Sequence, residues 1–328
     1  MLSQDHIRNL KNCTVAIGVM QKGTVIPTAV FGSGFVVDSE GYIATASHVL
    51  NSCEKFCEEF TKKNHIETRP AIFSFREADD GTTTVLYSAI DKKAYLKLQT
   101  PDGIISLDVV VVNLLAKGDN LSFLKISTKK KPDILSDIVM TGYPSGNTTL
   151  NIAGGLLDMR FFPLIHKGKI TGLIPSDSVP RPQLIQTDII TTGGSSGSPL
   201  IDPVDGTILG ISQKVISGNL RAKIEYEDSV FTLSSKNVED DQDKEQPQLT
   251  EKVLTKSSNV YGYAVVGPVI GLSNNMIQSI PQIVSEMKKG NTNVTNLKLE
   301  FSFLKSIQFL KESKKEDVPT ESRSNYTP

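Results

Sequence analysis

The stretch Gln186-Thr187-Asp188-Ile189-Ile190-Thr191-Thr192-Gly193-Gly194-Ser195-Ser196-Gly197-Ser198-Pro199-Leu200-Ile201 decides how the rest of the chain is read. The hydroxyl of Ser196 sits among glycines, just ahead of an apolar run. Glycine reaches backbone conformations closed to other residues, so such a loop can turn two main-chain N–H groups toward one point beside a hydroxyl. That is how an oxyanion hole is built next to a nucleophile. Ser196 is therefore the candidate nucleophile, and Gly194, Ser195 and Ser196 form the candidate oxyanion loop. As nucleophile, either neighbour, Ser195 or Ser198, breaks the register with Leu200.

A serine hydroxyl is a poor nucleophile near neutral pH and needs a base within hydrogen-bond reach. The chain has four histidines. His6 lies in a polar N-terminus, His65 in a charged segment, and His166 in Leu164-Ile165-His166-Lys167-Gly168. His48 follows the strand-like run Gly41-Tyr42-Ile43-Ala44-Thr45-Ala46-Ser47, which makes it the candidate general base.

Short β-rich words dominate: Val15–Val19, Phe35–Val37, Tyr42–Ala44, Leu107–Val112, Leu121–Ile126 and Ile208–Ile211. Turn signals such as Ser39-Glu40-Gly41, Pro101-Asp102-Gly103 and Asp205-Gly206 lie between them. Many short strands without intervening helices point to an all-β barrel or sandwich.

The words GSGFVVDSEGYIATASHVL (32–50), NLSFLKI (120–126), TGYPSGN (141–147), QTDIITTGGSSGSPLID (186–202), GTILGIS (206–212) and YGYAV (261–265) occur in the order found in trypsin-like serine proteases of the HtrA (Deg) type. The chain resembles that family over residues 8–218, and more weakly over 259–290. The resemblance implies two six-stranded antiparallel β-barrels of the chymotrypsin/trypsin-like fold, with the catalytic residues between them and a C-terminal helix. It also implies a serine endopeptidase acting on polypeptides without a cofactor or metal, with His48 as general base and Ser196 as nucleophile. The N–H groups of Gly194 and Ser196 are then the oxyanion donors. Where the family carries its aspartate, this chain has Asn120, preceded by Asp119. Asn120 can orient an imidazole but supplies no charge, whereas Asp119 supplies charge but points to the other face of a regular strand unless a bulge at Gly118 intervenes. Both stand as candidates for the third position, and Asn120 there suggests, as an alternative, an impaired protease fold serving as a peptide-binding or scaffold module. A second departure is Ser198, where the family has glycine. Six residues before the nucleophile, Ile190 marks the base of the substrate pocket, with Thr191 beside it, which suggests an apolar preference.

This resemblance divides the chain into a first barrel over 1–128, a second over 129–290, and a tail over 291–328 too short for the PDZ domain of many relatives. His48 and Asn120 are 72 positions apart, longer than usual for the family, so an insertion is expected at 51–105. Within it, Cys53–Lys63 is helix-like with Phe56 and Phe60 on one face, while Ala71–Phe75 and Thr83–Tyr87 read as extra strands. A second insertion at 219–258 carries the charged run Glu239–Pro247. Ser273 can cap a helix running to Lys289, with a kink or later start at Pro281 and a stop at Gly290.

Hydrophobic residues make up 38% of the 328, and mean hydropathy is −0.13, as in water-soluble globular chains. A net charge of −1 and the absence of tryptophan give no basis for nucleic-acid or anionic-membrane partners. No apolar run approaches the roughly 18 residues of a membrane helix. The N-terminus lacks a basic segment followed by an apolar stretch, so a cytoplasmic location is expected. Three cysteines do not form a disulfide framework, and Cys53 and Cys57 lack the second ligand pair a zinc site needs. By analogy with the family, a homo-oligomer, namely a trimer, is the expected assembly.

Overall fold

The computed structural model describes residues 3–292 and 297–298, apart from 25–26, 78–82, 101–102, 116–120, 145–147, 154–155, 216–220, 225–261 and 266. After helix α1 (Gln4–Cys13), six strands follow: β1 (Thr14–Gln21), β2 (Pro27–Val36), β3 (Ile43–Thr45), β4 (Thr68–Glu77), β5 (Thr83–Thr100) and β6 (Gly103–Leu114). They pair antiparallel in the order β5-β4-β1-β2-β3-β6, and β6 returns to β5, which closes the sheet into a barrel. Closure leaves no open edge. Strand β5 serves both β4 and β6, and the register shifts at Ile90/Lys92 and Tyr95/Lys97 let so long a strand bend around the barrel.

Strands β4 and β5 contain the Ala71–Phe75 and Thr83–Tyr87 words, so these are barrel walls and not additions to it. What lengthens the chain between His48 and β6 is the 18-residue helix α2 (Ser47–Asn64) together with the 18-residue β5. Val49, Leu50, Cys53 and Cys57 bury one stripe of α2 against Val15, Ile17, Ile43, Val110 and Val112 of the barrel. Phe56 stacks on Phe60 one turn later and meets Phe31 of β2 edge-on. The helix ends where His65 turns left-handed (φ 56°) and its N–H bonds Thr61 O, with Lys62 and Lys63 on the last turn.

The second half begins with β7 (Asp137–Gly142). A hairpin of β8 (Thr148–Ala153) and β9 (Leu156–Phe161) leads to β10 (Leu164–Ile174), β11 (Leu184–Thr191), β12 (Pro199–Ile201) and β13 (Ile208–Val215). A second hairpin, β14 (Arg221–Ile224) with β15 (Gly262–Val265), precedes β16 (Gly267–Ser273). The closed order is β10-β11-β16-β13-β12-β7. Two six-stranded antiparallel barrels are thus the frame, as the resemblance implied. Of the 219–258 insertion, only β14 is among the described residues; the charged run 239–247 lies outside them.

The C-terminal helical span is split into α3 (Asn274–Ile277) and α4 (Ile280–Lys288). Pro281 causes the split. It lacks an N–H and fits only the first turn of a helix, so α4 starts around it. Gly290, at φ 86°, stops the helix with its N–H on Met287 O. Met276, Ile277, Ile280, Ile283, Val284 and Met287 share one apolar cluster with Phe35, Tyr42, Ala44, Val109 and Val111 of the first barrel and with Ile211 and Leu272 of the second. Lys288 adds ion pairs to Asp38 (3.1 Å) and Glu40 (2.8 Å) on the β2–β3 turn. The helix therefore ties the barrels together behind the site. Last comes β17 (Leu297–Lys298), parallel to β5; the rest of the 291–328 tail lies almost wholly outside the described residues. Among the described residues no helix is long and apolar enough to cross a membrane, and no cluster of His, Cys, Asp and Glu has a metal-binding arrangement.

Candidate active site

His48 is the second residue of α2, directly after β3. The helix opens on Ala46, which offers no side chain to its unpaired N–H groups. The missing cap comes from another strand. On β6, side chains alternate, and Asp108 shares a parity with Val110 and Val112, which pack against Val49, Leu50 and Cys53 of α2. Asp108 thus faces the start of that helix. Its Oδ1 accepts the His48 backbone N–H at 2.9 Å, and its Oδ2 lies 2.6 Å from His48 Nδ1. A carboxylate is an acceptor only, so Nδ1 carries the proton and Nε2 keeps its lone pair free for a substrate-side hydrogen. The negative charge also complements the positive end of α2.

Asn120 and Asp119, the expected candidates, lie outside the described residues. Asp108 thus stands at Nδ1, the point on which the expected third residue would act. Topology gives the reason. Thr45 of β3 pairs with Val110 of β6, so the residue two places before Val110 stands level with the first turn of the following helix. The Leu121–Ile126 word that resembled the family's acid strand is not a strand here. It joins the second barrel through an isolated bridge from Ile126 to Ile208. In sequence, 60 positions separate His48 from Asp108, against 72 from Asn120, and no local word links the two.

Ser196 follows β11 in a turn whose peptides are held one by one. Ser33 Oγ of β2 donates to Gly194 O at 2.8 Å, Ser198 N–H donates to Ser195 O at 3.1 Å, and Ser33 N–H donates to Ser196 O at 2.8 Å. Gly197 N–H then binds Ser212 O at 2.7 Å. Gly194 (φ 90°) and Gly197 (φ 84°) occupy the left-handed region that glycine tolerates. A Cβ on Gly197 would lie 2.1 Å from Ser33 O and 3.0 Å from Ala46 N, so this turn packs on the backbone two residues before His48. The Ser196 hydroxyl, partly buried, donates to Gln213 O of β13 at 3.1 Å.

Ser195 is not part of the open face of the loop. Its buried hydroxyl shares a 2.5 Å bond with Thr191 Oγ1. Thr191, expected beside the pocket, is thus a buried strut under the loop. Ile190, next to it on the alternating β11, points outward and is 55% exposed, so an apolar side chain does stand open to solvent beside the site. Ser198, in place of the family's glycine, is fully buried against Gly142.

With this geometry in view, the likeness to known proteins becomes specific. Among curated proteins, the probable periplasmic serine endoprotease DegP-like of Chlamydia muridarum is 24% identical over 191 residues, which are 58% of this chain and 29% of that protein. The corresponding protein of Chlamydia pneumoniae is also 24% identical, over 58% of this chain and 30% of its own length. The chain thus matches less than a third of the length of these relatives. Among solved structures, Deg5 is similar with 22% identity and a TM-score of 0.41, covering 65% of this chain and 87% of Deg5. The model of the trypsin-like peptidase domain matches residues 32–211, more than half of the chain and the span that contains His48, Asp108 and Ser196, and the chain belongs to that family.

Proposed function

We propose that the protein is a serine endopeptidase in which Ser196 is the nucleophile, His48 the general base and Asp108 the residue that orients and charges the base. The observation that carries this reading is the two-point hold of one carboxylate on His48, 2.9 Å from its N–H and 2.6 Å from Nδ1. A carboxylate so placed selects the tautomer that accepts a proton at Nε2 and stabilises the imidazolium formed on attack. An unrelated structural histidine has no need of both contacts.

In the reaction, the Ser196 hydroxyl leaves Gln213 O, passes its proton to His48 Nε2, and its oxygen bonds to the carbonyl carbon of the scissile peptide. The carbonyl π electrons move to oxygen, and that oxyanion is held by the N–H groups of Gly194 and Ser196. Collapse breaks the C–N bond, the amine takes the proton from His48, and an acyl-enzyme remains on Ser196. Water repeats the sequence and releases the acid. Ile190 offers an apolar wall to the residue before the cleaved bond. The impaired-protease reading was motivated by Asn120 and Ser198, and a carboxylate on Nδ1 speaks against the first of these.

The test is labelling of purified protein with a fluorophosphonate, alongside cleavage of casein. Labelling that disappears in Ser196→Ala supports the proposal. Absence of any Ser196-dependent adduct, or casein cleavage that survives Ser196→Ala, ends it.

A further inference from the structure

We infer that Ser33 is a positioning residue that sets the oxyanion hole of Ser196, an assignment that rests on the peptidase reading above. Ser33 belongs to β2 of the first barrel, is wholly buried, and lies far in sequence from the loop it holds. All of its hydrogen-bonding groups converge on the site. The N–H takes Ser196 O (2.8 Å), and the C=O receives Thr45 Oγ1 (2.7 Å) from the strand that leads to His48. The side-chain Oγ donates to Gly194 O (2.8 Å) and accepts Tyr143 N–H (2.8 Å). One residue thus grips the nucleophile loop on both sides of Ser195.

These grips matter because of which peptide each one fixes. Ser33 N–H orients the Ser196–Gly197 peptide, and Ser33 Oγ orients the Gly194–Ser195 peptide. Gly194 sits at φ 90° with no side chain to hold it. Its N–H belongs to the Gly193–Gly194 peptide, whose carbonyl accepts Thr192 Oγ1 at 3.4 Å, and that peptide is joined through the Gly194 α-carbon to the Gly194–Ser195 plane that Ser33 Oγ holds. Without Ser33 Oγ, that plane can rotate, and the Gly194 N–H turns away from the point it shares with the Ser196 N–H. Tyr143 N–H, which is buried, and Gly194 O, which is partly buried, lose their partners in the same step. The hydroxyl touches no substrate atom; it acts through the peptide it orients.

Removing one direct oxyanion donor typically lowers kcat by about 10²–10³-fold. Loosening such a donor without deleting it predicts a loss of about 10–100-fold for Ser33→Ala, expressed in kcat with KM nearly unchanged, because ground-state substrate binding does not use the oxyanion hole. Three measurements separate this role from general stabilisation. Affinity for a peptide aldehyde, which forms a tetrahedral adduct on the serine, falls together with kcat. Amide hydrogen exchange in the 193–198 segment speeds up selectively. Ser273→Ala, which removes another buried hydroxyl, bonded to Pro182 O away from the site, serves as control and keeps wild-type kcat.

Wild-type aldehyde affinity and kcat in Ser33→Ala overturn the assignment, as does an equal loss of kcat in Ser273→Ala at equal stability. Faster exchange at 193–198 supports it even for a variant with little turnover. Should the wild-type protein form no Ser196 adduct at all, the peptidase reading fails instead, a result distinct from any difference between the two variants.

Discussion

Replacing Asp108 with asparagine isolates the charge on the base from everything else that residue does. Asparagine keeps an oxygen for the His48 backbone N–H, so the α2 cap survives, but it presents an NH2 group to Nδ1. The imidazole then holds its proton on Nε2, and Ser196 has nothing to give its hydrogen to. Coulomb's law for unit charges 2.6 Å apart gives about 1.6 kcal/mol in water and about 6 kcal/mol at an effective dielectric of about 20. His48 and Asp108 are 47% and 39% exposed, which places the pair between these limits, near 3–4 kcal/mol. At about 1.36 kcal/mol per decade, kcat should fall by about 10²–10³-fold, less than the roughly 10⁴-fold of a fully enclosed triad.

Steady-state hydrolysis of a peptide substrate, read beside thermal unfolding, checks the reasoning. Asp108→Asn should lose turnover at an unchanged Tm. Asp108→Ala should lose turnover and also about 1 kcal/mol of stability with the cap. Asn120→Asp should leave kcat where it was, since Nδ1 already has its carboxylate. Wild-type turnover in Asp108→Asn, or a large gain in Asn120→Asp, would refute the assignment of Asp108.

Asp137 is held near pKa 2 by hydrogen bonds and charge from Lys167 and Lys169, down from 3.8. A depressed carboxyl supports the fold above its unfolded value and loses that support as pH falls from 3.8 toward 2; Lys167→Ala with Lys169→Ala should raise the Asp137 titration, followed by carboxyl NMR. Burial pushes the His166 imidazole below its ordinary 6.5, with Nε2 enclosed and unpartnered. Its contribution is complete above pH 6.5 and is lost on acidification through the lower folded value, so urea titrations of His166→Gln should show a flatter stability slope below pH 6.5. Burial also pushes the Cys53 thiol upward, and all three cysteines are buried and outside any disulfide, so iodoacetamide should modify them in denaturant and scarcely at all in the native state. A Cβ on Gly142 would stand 2.0 Å from Ser198 Oγ and 2.9 Å from Ser33 Oγ. Gly142→Ala should therefore cost about 1–3 kcal/mol in chemical denaturation, and Ser198→Gly in the same chain should recover part of it.

The two-barrel frame was legible because its signals are local. Apolar strand words, turns at Gly41 and Gly206, and the break at Pro281 are each settled by a few neighbouring residues. Ser196 and His48 were legible for the same reason, since glycines and a strand end mark them. Asp108 was not. Inside Leu107-Asp108-Val109-Val110-Val111-Val112 a lone acid looks like one polar face of a strand, and nothing within ten residues of it names a histidine. The surroundings of Thr191 were hidden for a different reason. It flanks Ile190 at the expected pocket position, but strand alternation turns successive side chains to opposite faces, and its hydroxyl goes inward to Ser195.

In the proposed mechanism, the partner of His48 is defined by a place in the barrel and not by a word in the sequence. Strand β3 ends in the helix that carries His48, and β6 is the strand paired with β3, so a residue on β6 just past the last pair faces the helix N-terminus whatever motif surrounds it. An exposed helix start needs an acceptor, and a carboxylate meets that need best. The same carboxylate, 2.6 Å from Nδ1, is what a general base requires. Folding and chemistry therefore select the same residue type at that slot. Under the proposed mechanism, an acid on β6 where β3 hands over to α2 is what the base needs, and Asp108 is the residue at that place.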